Sequence, residues 1–168
     1  FFFQAEDVIR DSVASRGLGD VYKRQIIQTP IGNIEIKIRK GRLTGLSWTD
    51  KKKTGLTAES REIKKQLLEY LRGERKKINF PITADGTPFE KKVWAVMSST
   101  KYGETITYGD IAKKISNSPR AVGQAAKRNP LLILIPCHRV VGKHNLGGFS
   151  GKTRIDKKKI LLEIEGNN

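Results

Sequence analysis

The chain of 168 residues holds a single cysteine, Cys137, and a histidine follows it directly at His138. A thiol beside an imidazole is the minimum that nucleophilic sulfur chemistry needs. The thiolate is the reactive form, and a neighbouring base or cation raises its population. Arg139 and a strongly basic chain surround the pair, which predicts a lowered thiol pKa. Glu165, late in the chain, could orient the imidazole as the third member of a triad. The bland readings stand beside this one. A lone cysteine is more often an inert small core residue, a lone histidine is usually structural, and Glu165 could be a solvated C-terminal residue. Adjacent residues on a strand point to opposite faces, so Cys137 and His138 meet only through a bridging water or a turn. One cysteine excludes an intrachain disulfide and a multi-cysteine zinc site, and it fits a reducing cytosol.

The elements that must position the pair are legible in outline. Residues 131–135 read as an apolar strand that ends at Pro136 and delivers the cysteine. Upstream, Thr107 caps a helix through Ile111, Ala112 and Ile115, Asn117-Ser118-Pro119 makes a turn, and a second helix runs from Pro119 to about Lys127. Two short helices joined so tightly read as a helix-turn-helix. Thr87-Pro88 opens an earlier helix with an apolar stripe of Phe89, Val93, Trp94, Val96 and Met97. Nearer the start, a strand over residues 26–29 leads through a turn at residues 30–33. Ile34, Ile36 and Ile38 then alternate with charged residues, Lys40-Gly41 turns the chain, and residues 43–48 make a third strand. A helix follows at about Thr57 to Leu71, with Ile63, Leu67, Leu68 and Leu71 on one face and Gly73 as its stop. Lys76 to Pro81 predicts a further short strand. A boundary near Ala84 to Pro88 divides a β-rich domain, 26–84, from a mainly helical one, 85–168. The fold class is α+β.

Thirty-three basic residues against 17 acidic ones leave a net charge of +16. That excess favours a polyanionic partner, nucleic acid first and an anionic membrane surface second, against the plain alternative of a solvated basic face. No apolar run approaches the length of a membrane span. Residues 1–25 look foreign: four acidic residues (Glu6, Asp7, Asp11, Asp20) cancel four basic ones (Arg10, Arg16, Lys23, Arg24), and the stretch resembles a translated sequencing adapter. It is set aside as a non-native leader. The rest predicts a cytoplasmic protein.

The ordered set GETITYGDIA (103–112), RAVGQA (120–125), RNP (128–130), IPCHRVV (135–141) and GGFSG (147–151) closely resembles the signature of the O6-alkylguanine-DNA alkyltransferases, the methylated-DNA–protein-cysteine methyltransferases. TPIGNIEIKIRKGRLTGLSW and TPFEKKVWAVMSSTKYGETITYGDIAKKI resemble the starts of that family's two domains, so the likeness covers roughly Ile26 to Gly166. It implies a ribonuclease-H-like N-terminal domain and a winged helix-turn-helix. It implies single-turnover DNA repair by a monomer on double-stranded DNA carrying O6-alkylguanine, entered from the minor groove, with no metal, cofactor or membrane. Cys137 is then the alkyl acceptor, His138 takes its proton through a water, Glu165 holds the imidazole, and Asn129 braces the turn. Tyr108 hydrogen-bonds the base, Ser150 binds O6, the carbonyls of Cys137 and Val140 read the exocyclic amine, and Phe149 supplies an apolar wall where some relatives carry tyrosine. Arg120 fills the stack that the flipped base leaves. Ala121, Gly123, Lys127, Arg128 and Arg139 complete the DNA-binding set, with Gly123 allowing close approach of DNA or of another helix. Two other classes remain open on the residues alone: a helix-turn-helix regulator that binds DNA without reaction, and a cysteine hydrolase that turns over repeatedly.

Overall fold

Ile34, Ile36 and Ile38 are buried together on one face of β2 (Gly32–Arg39), as the alternation requires. In the computed structural model, which describes residues 22–149 and 154–166, β1 (Lys23–Thr29) and β3 (Arg42–Thr49) flank β2 in an antiparallel sheet of order β1-β2-β3. Lys40 and Gly41 take φ of 50° and 71°, the paired left-handed conformations of a tight hairpin turn. β1 begins inside the segment set aside as a leader: Lys23, Arg24 and Gln25 pair with Ile38, Lys37 and Ile36. Ladder hydrogen bonds come from the backbone, so polar side chains do not prevent them. Residues 1–21 lie outside the described residues.

The chain divides into two units. The first holds the sheet, with described residues 22–61 and 80–83. The latter join it because Leu43 N donates to Pro81 O at 2.8 Å and Thr83 N to Leu43 O at 3.0 Å. The strand expected over Lys76–Pro81 does not form, and pairing there shrinks to one bridge between Leu43 and Ile82. Lys76, Lys77 and Asn79 are exposed and only Ile78 among them is buried, so this stretch has no apolar face to lay on a sheet.

The second unit takes residues 62–79 and the described residues from Ala84 onward. The unit changes at Ala84, where the turn cluster predicts a boundary. Residues 62–79, however, pack with the helical unit instead of the β-rich one. α1 (Ala58–Leu71) carries Tyr70, only 2% exposed, whose hydroxyl finds its partners inside this second unit. α2 (Pro88–Ser99) opens on a capping box, with Thr87 Oγ1 accepting from Glu90 N and the Glu90 carboxylate accepting from Thr87 N. It buries Val93, Trp94 and Met97, and Trp94 Nε1 donates to Ala125 O at 2.9 Å.

β4 (Ile106–Thr107) precedes α3 (Tyr108–Lys114), which Thr107 and Asp110 cap reciprocally. α4 (Pro119–Lys127) starts under a Ser118 cap and buries Val122, Ala125 and Ala126. β5 (Val140–Val141) pairs with β4 in parallel, Ile106 opposite Val140. α5 (Ile155–Ile164) closes the unit through Leu161 and Leu162. Among the described residues, no helix is long and apolar enough to cross a membrane.

Candidate active site

Cys137 sits at the start of a one-turn 3-10 segment, Cys137–Arg139. The chain reaching it is not the strand the sequence suggests. Residues 131–135 fold into a tight turn, with Leu132 bridged to Ile135 and Ile133 at φ 73°. A β-branched residue in that region is strained by about 1–3 kcal/mol, so the surroundings must impose the shape. Asn129 does so: its Nδ2 donates to Ile135 O at 2.6 Å and its Oδ1 accepts from Leu131 N at 2.9 Å. The Asn129 side chain also favours the Cys137 thiolate.

The thiol lines a cleft of about 530 Å³ shared with Tyr108, Arg120, Gly123, Lys127 and Phe149. It is 6% exposed. Burial pushes its pKa up to about 11, against the opposing effects of Asn129 and the Lys158 cation. This reverses the expectation of a lowered thiol pKa, because Arg139 is not the cation that acts on the sulfur. Arg139 is buried, its Nη1 donates to Thr100 O at 2.6 Å, and its Nε and Nη2 clamp the Glu165 carboxylate. The same geometry removes Arg139 from the expected DNA-binding set, since a guanidinium so engaged has nothing to offer a phosphate.

Glu165 joins three donors. His138 Nε2 lies 3.1 Å from Oε1, Tyr70 Oη donates to Oε2 at 2.8 Å, and Arg139 clamps both oxygens. Burial alone would raise the carboxyl pKa, but the hydrogen bonds from His138 and Arg139 outweigh it and hold the group at about 2. His138 is fully buried. Desolvation depresses its pKa below the ordinary imidazole value although Glu165 pulls the other way, so the ring is neutral at rest. Its Nδ1 has no hydrogen-bonding partner among the described residues.

The sequence reading missed two residues. Lys158 is fully buried, and its Nζ donates to Val140 O at 2.5 Å and to Gly148 O at 3.0 Å. Burial lowers its pKa to about 8, with the Cys137 charge opposing. One lone pair of the Val140 carbonyl is therefore already occupied. The signal was present: Lys158, Leu161, Leu162 and Glu165 fall at i, i+3, i+4 and i+7 around α5, one buried stripe. Tyr70 was the other, at i+7 from Ile63 and i+3 from Leu67 on α1.

The remaining expected residues are distributed as follows. Tyr108 is half-buried in the cleft, its hydroxyl 3.4 Å from Gly148 O, and burial raises its pKa. Gly147, at φ 71°, approaches its ring so closely that a Cβ would stand 2.8 Å from Cε2. Phe149 is a buried cleft wall. Arg120 and Lys127 are exposed at the cleft, and Ala121 is half-buried beside them on α4. Arg128 is exposed and pairs with Glu90 at 3.4 Å. Among the described residues, nothing lies within 4 Å of the position a Gly123 Cβ would take, so no described helix requires a glycine there. Ser150 lies outside the described residues.

Fold and site together define an α+β protein with a buried cysteine–histidine–glutamate centre beside two short, capped helices. The family model described as "6-O-methylguanine DNA methyltransferase, DNA binding domain" matches residues 88–167. The constitutive methylated-DNA–protein-cysteine methyltransferase of Bacillus subtilis (strain 168) is 43% identical over 153 residues, covering 82% of this chain and 92% of that protein. A crystal structure of the Mycobacterium tuberculosis O6-methylguanine methyltransferase superposes with a TM-score of 0.76 at 33% identity, covering 86% of this chain and 93% of that one. The M. tuberculosis protein in complex with DNA gives 0.74 at 34% identity, covering 84% and 91%. The chain belongs to the methylated-DNA–protein-cysteine methyltransferase family.

Proposed function

We propose that this protein repairs DNA by moving an alkyl group from O6 of guanine onto Sγ of Cys137, once per molecule. The observation that carries this reading is a lone thiol lining an open cleft while the adjacent His138–Glu165 pair is sealed from solvent. His138 Nδ1 takes the thiol proton through a water. The sulfur attacks the alkyl carbon, the S–C bond forms, and the O6–C bond breaks. Guanine leaves as an anion whose charge a Tyr108 hydrogen bond to N3 offsets, and it takes its final proton from solvent. The thioether is stable, so Cys137 is not regenerated. Thiol and alkylated base are the only reactants.

A base edge inside a duplex is out of reach, so the nucleotide must be flipped at a cost of a few kcal/mol. Phosphate contacts supply that energy, and the net charge of +16 suits them. α3 and α4 act as the helix-turn-helix of a winged domain entering the minor groove. Arg120 occupies the vacated stack, Gly123 lets the DNA backbone approach, and Ala121, Lys127 and Arg128 lie along the same helix and its end. Ser150 would hold O6, the Cys137 and Val140 carbonyls would read the exocyclic amine, and Asn129 keeps the cysteine turn in shape. The β-rich unit corresponds to the ribonuclease-H-like domain, and the protein works as a monomer.

Intact-mass analysis tests the reaction. After mixing with duplex DNA containing O6-methylguanine, the protein gains one methylene, and Cys137→Ala gains nothing. An unchanged wild-type mass would refute alkyl transfer.

A further inference from the structure

Tyr70 comes from α1, far in sequence from the cysteine, yet its hydroxyl lies between the two groups that prepare the base. It is 2.8 Å from Glu165 Oε2 and 3.2 Å from His138 Nε2. A phenol has one proton to give. Glu165 is ionised, so it accepts and does not donate, and the shorter contact commits the tyrosine proton to it. Burial and the neighbouring carboxylate keep that phenol protonated. Nε2 of His138 then faces two acceptors: Oε1 of Glu165 at 3.1 Å and the oxygen of Tyr70 at 3.2 Å. The other charges that bear on the ring, Arg139 and Lys158, are cations bonded elsewhere. Among the described residues Nδ1 has no partner.

We propose that Tyr70 is a positioning residue for the transfer: by giving its proton to Glu165 it assigns the imidazole proton of His138 to Nε2 and presents Nδ1 as the bare acceptor for the thiol proton. It also closes a ring of contacts, Nε2–Oε1 and Oε2–Oη–Nε2, that fixes the rotation of the imidazole. Tyr102 holds Tyr70 from the side, the two rings meeting edge to face at 6.0 Å, while its own hydroxyl donates to Ile164 O at 3.0 Å. This inference rests on the alkyl-transfer reading for its kinetic consequence but not for its tautomer.

The first test is ¹⁵N spectroscopy of the histidines in the wild-type protein, which has only His138 and the exposed His144. The expected signature for His138 is a protonated Nε2 and a bare Nδ1 between pH 7 and 8; a protonated Nδ1 overturns the proposal. The second test is the pH profile of single-turnover transfer in Tyr70→Phe. Losing the phenol proton returns negative charge to Glu165, stabilises the imidazolium, and moves the acid limb of the profile upward by about one pH unit. Loss of orientation slows transfer on the plateau by roughly tenfold or more. Tyr102→Phe, which removes a hydroxyl from the same cluster without touching Glu165, keeps the wild-type profile. An unmoved acid limb in folded Tyr70→Phe, or an equal shift in Tyr102→Phe, overturns the assignment. If Tyr70→Phe does not fold, the wild-type spectrum still decides. If the wild type transfers nothing, the functional reading fails while the spectrum judges this proposal separately.

Discussion

A buried thiol with a pKa near 11 should be a poor target for indiscriminate alkylation, and the size of that protection follows from the structure. An ordinary cysteine titrates at 9.0, so burial moves Cys137 by about 2 pH units. Each unit corresponds to about 1.4 kcal/mol, so at neutral pH the thiolate is roughly a hundredfold scarcer than on an unfolded chain. With one cysteine in the sequence, adduct mass reports on Cys137 alone. The assay compares iodoacetamide modification of the native protein with that of the urea-unfolded protein from pH 7 to 11. Native modification is expected to be at least a hundredfold slower at pH 7.4 and to keep rising beyond pH 10. The unfolded chain should pass its midpoint near pH 9 and level off above it. The rising limb matters because restricted access lowers the whole curve without moving its inflection. A native curve whose midpoint lies at or below pH 9 would refute the argument that desolvation governs this thiol. Transfer from O6-methylguanine DNA should escape the penalty, because His138 removes the proton as the sulfur attacks.

Glu165→Gln leaves the buried Arg139 without its counter-charge, a loss of about 3–5 kcal/mol. A thermal melt should fall by roughly 6–20 °C, and a change under 2 °C would contradict the clamp. Gly123→Ala meets open space and replaces a helical glycine. It should therefore raise stability by about 0.5–1 kcal/mol in urea unfolding. It should also slow repair of duplex DNA while sparing transfer from free O6-benzylguanine; equal effects on both substrates would argue against DNA approaching at this position. Lys158 carries its charge below pH 8 and loses it as pH rises through that value. Single-turnover transfer should therefore decline above about pH 8, and Lys158→Met should be slow throughout and lack that decline. A decline of the same midpoint in the variant would assign it to another group.

How much of this was legible in the sequence depended on whether the signal was local. Strand alternation at residues 34–38, the helix start at Thr87-Pro88, the cap at Thr107 and the turn at residues 117–119 are set by near neighbours, and the elements formed where those residues placed them. The path into Cys137 misled because a run of Leu and Ile fits a strand and a buried turn equally well. What separates them is the Asn129 side chain, whose two bonds to residues 131 and 135 were not visible as spacing. Arg139 misled for a related reason. Sequence shows an arginine beside the cysteine but not that a carboxylate 26 residues away has claimed it. Lys158 and Tyr70 could have been found, since each lies on an apolar helical stripe where a polar group needs a partner.

Lys158 stands on α5 and Glu165 at its C-cap, seven residues and about two helical turns apart. A single rod thus fixes the spacing between the cation that favours the thiolate and the anion that faces the imidazole. Inserting one residue between them would rotate one against the other by about 100°. No side-chain rearrangement could restore both, so this stretch should tolerate exchanges of its solvent-facing residues far better than any change in its length.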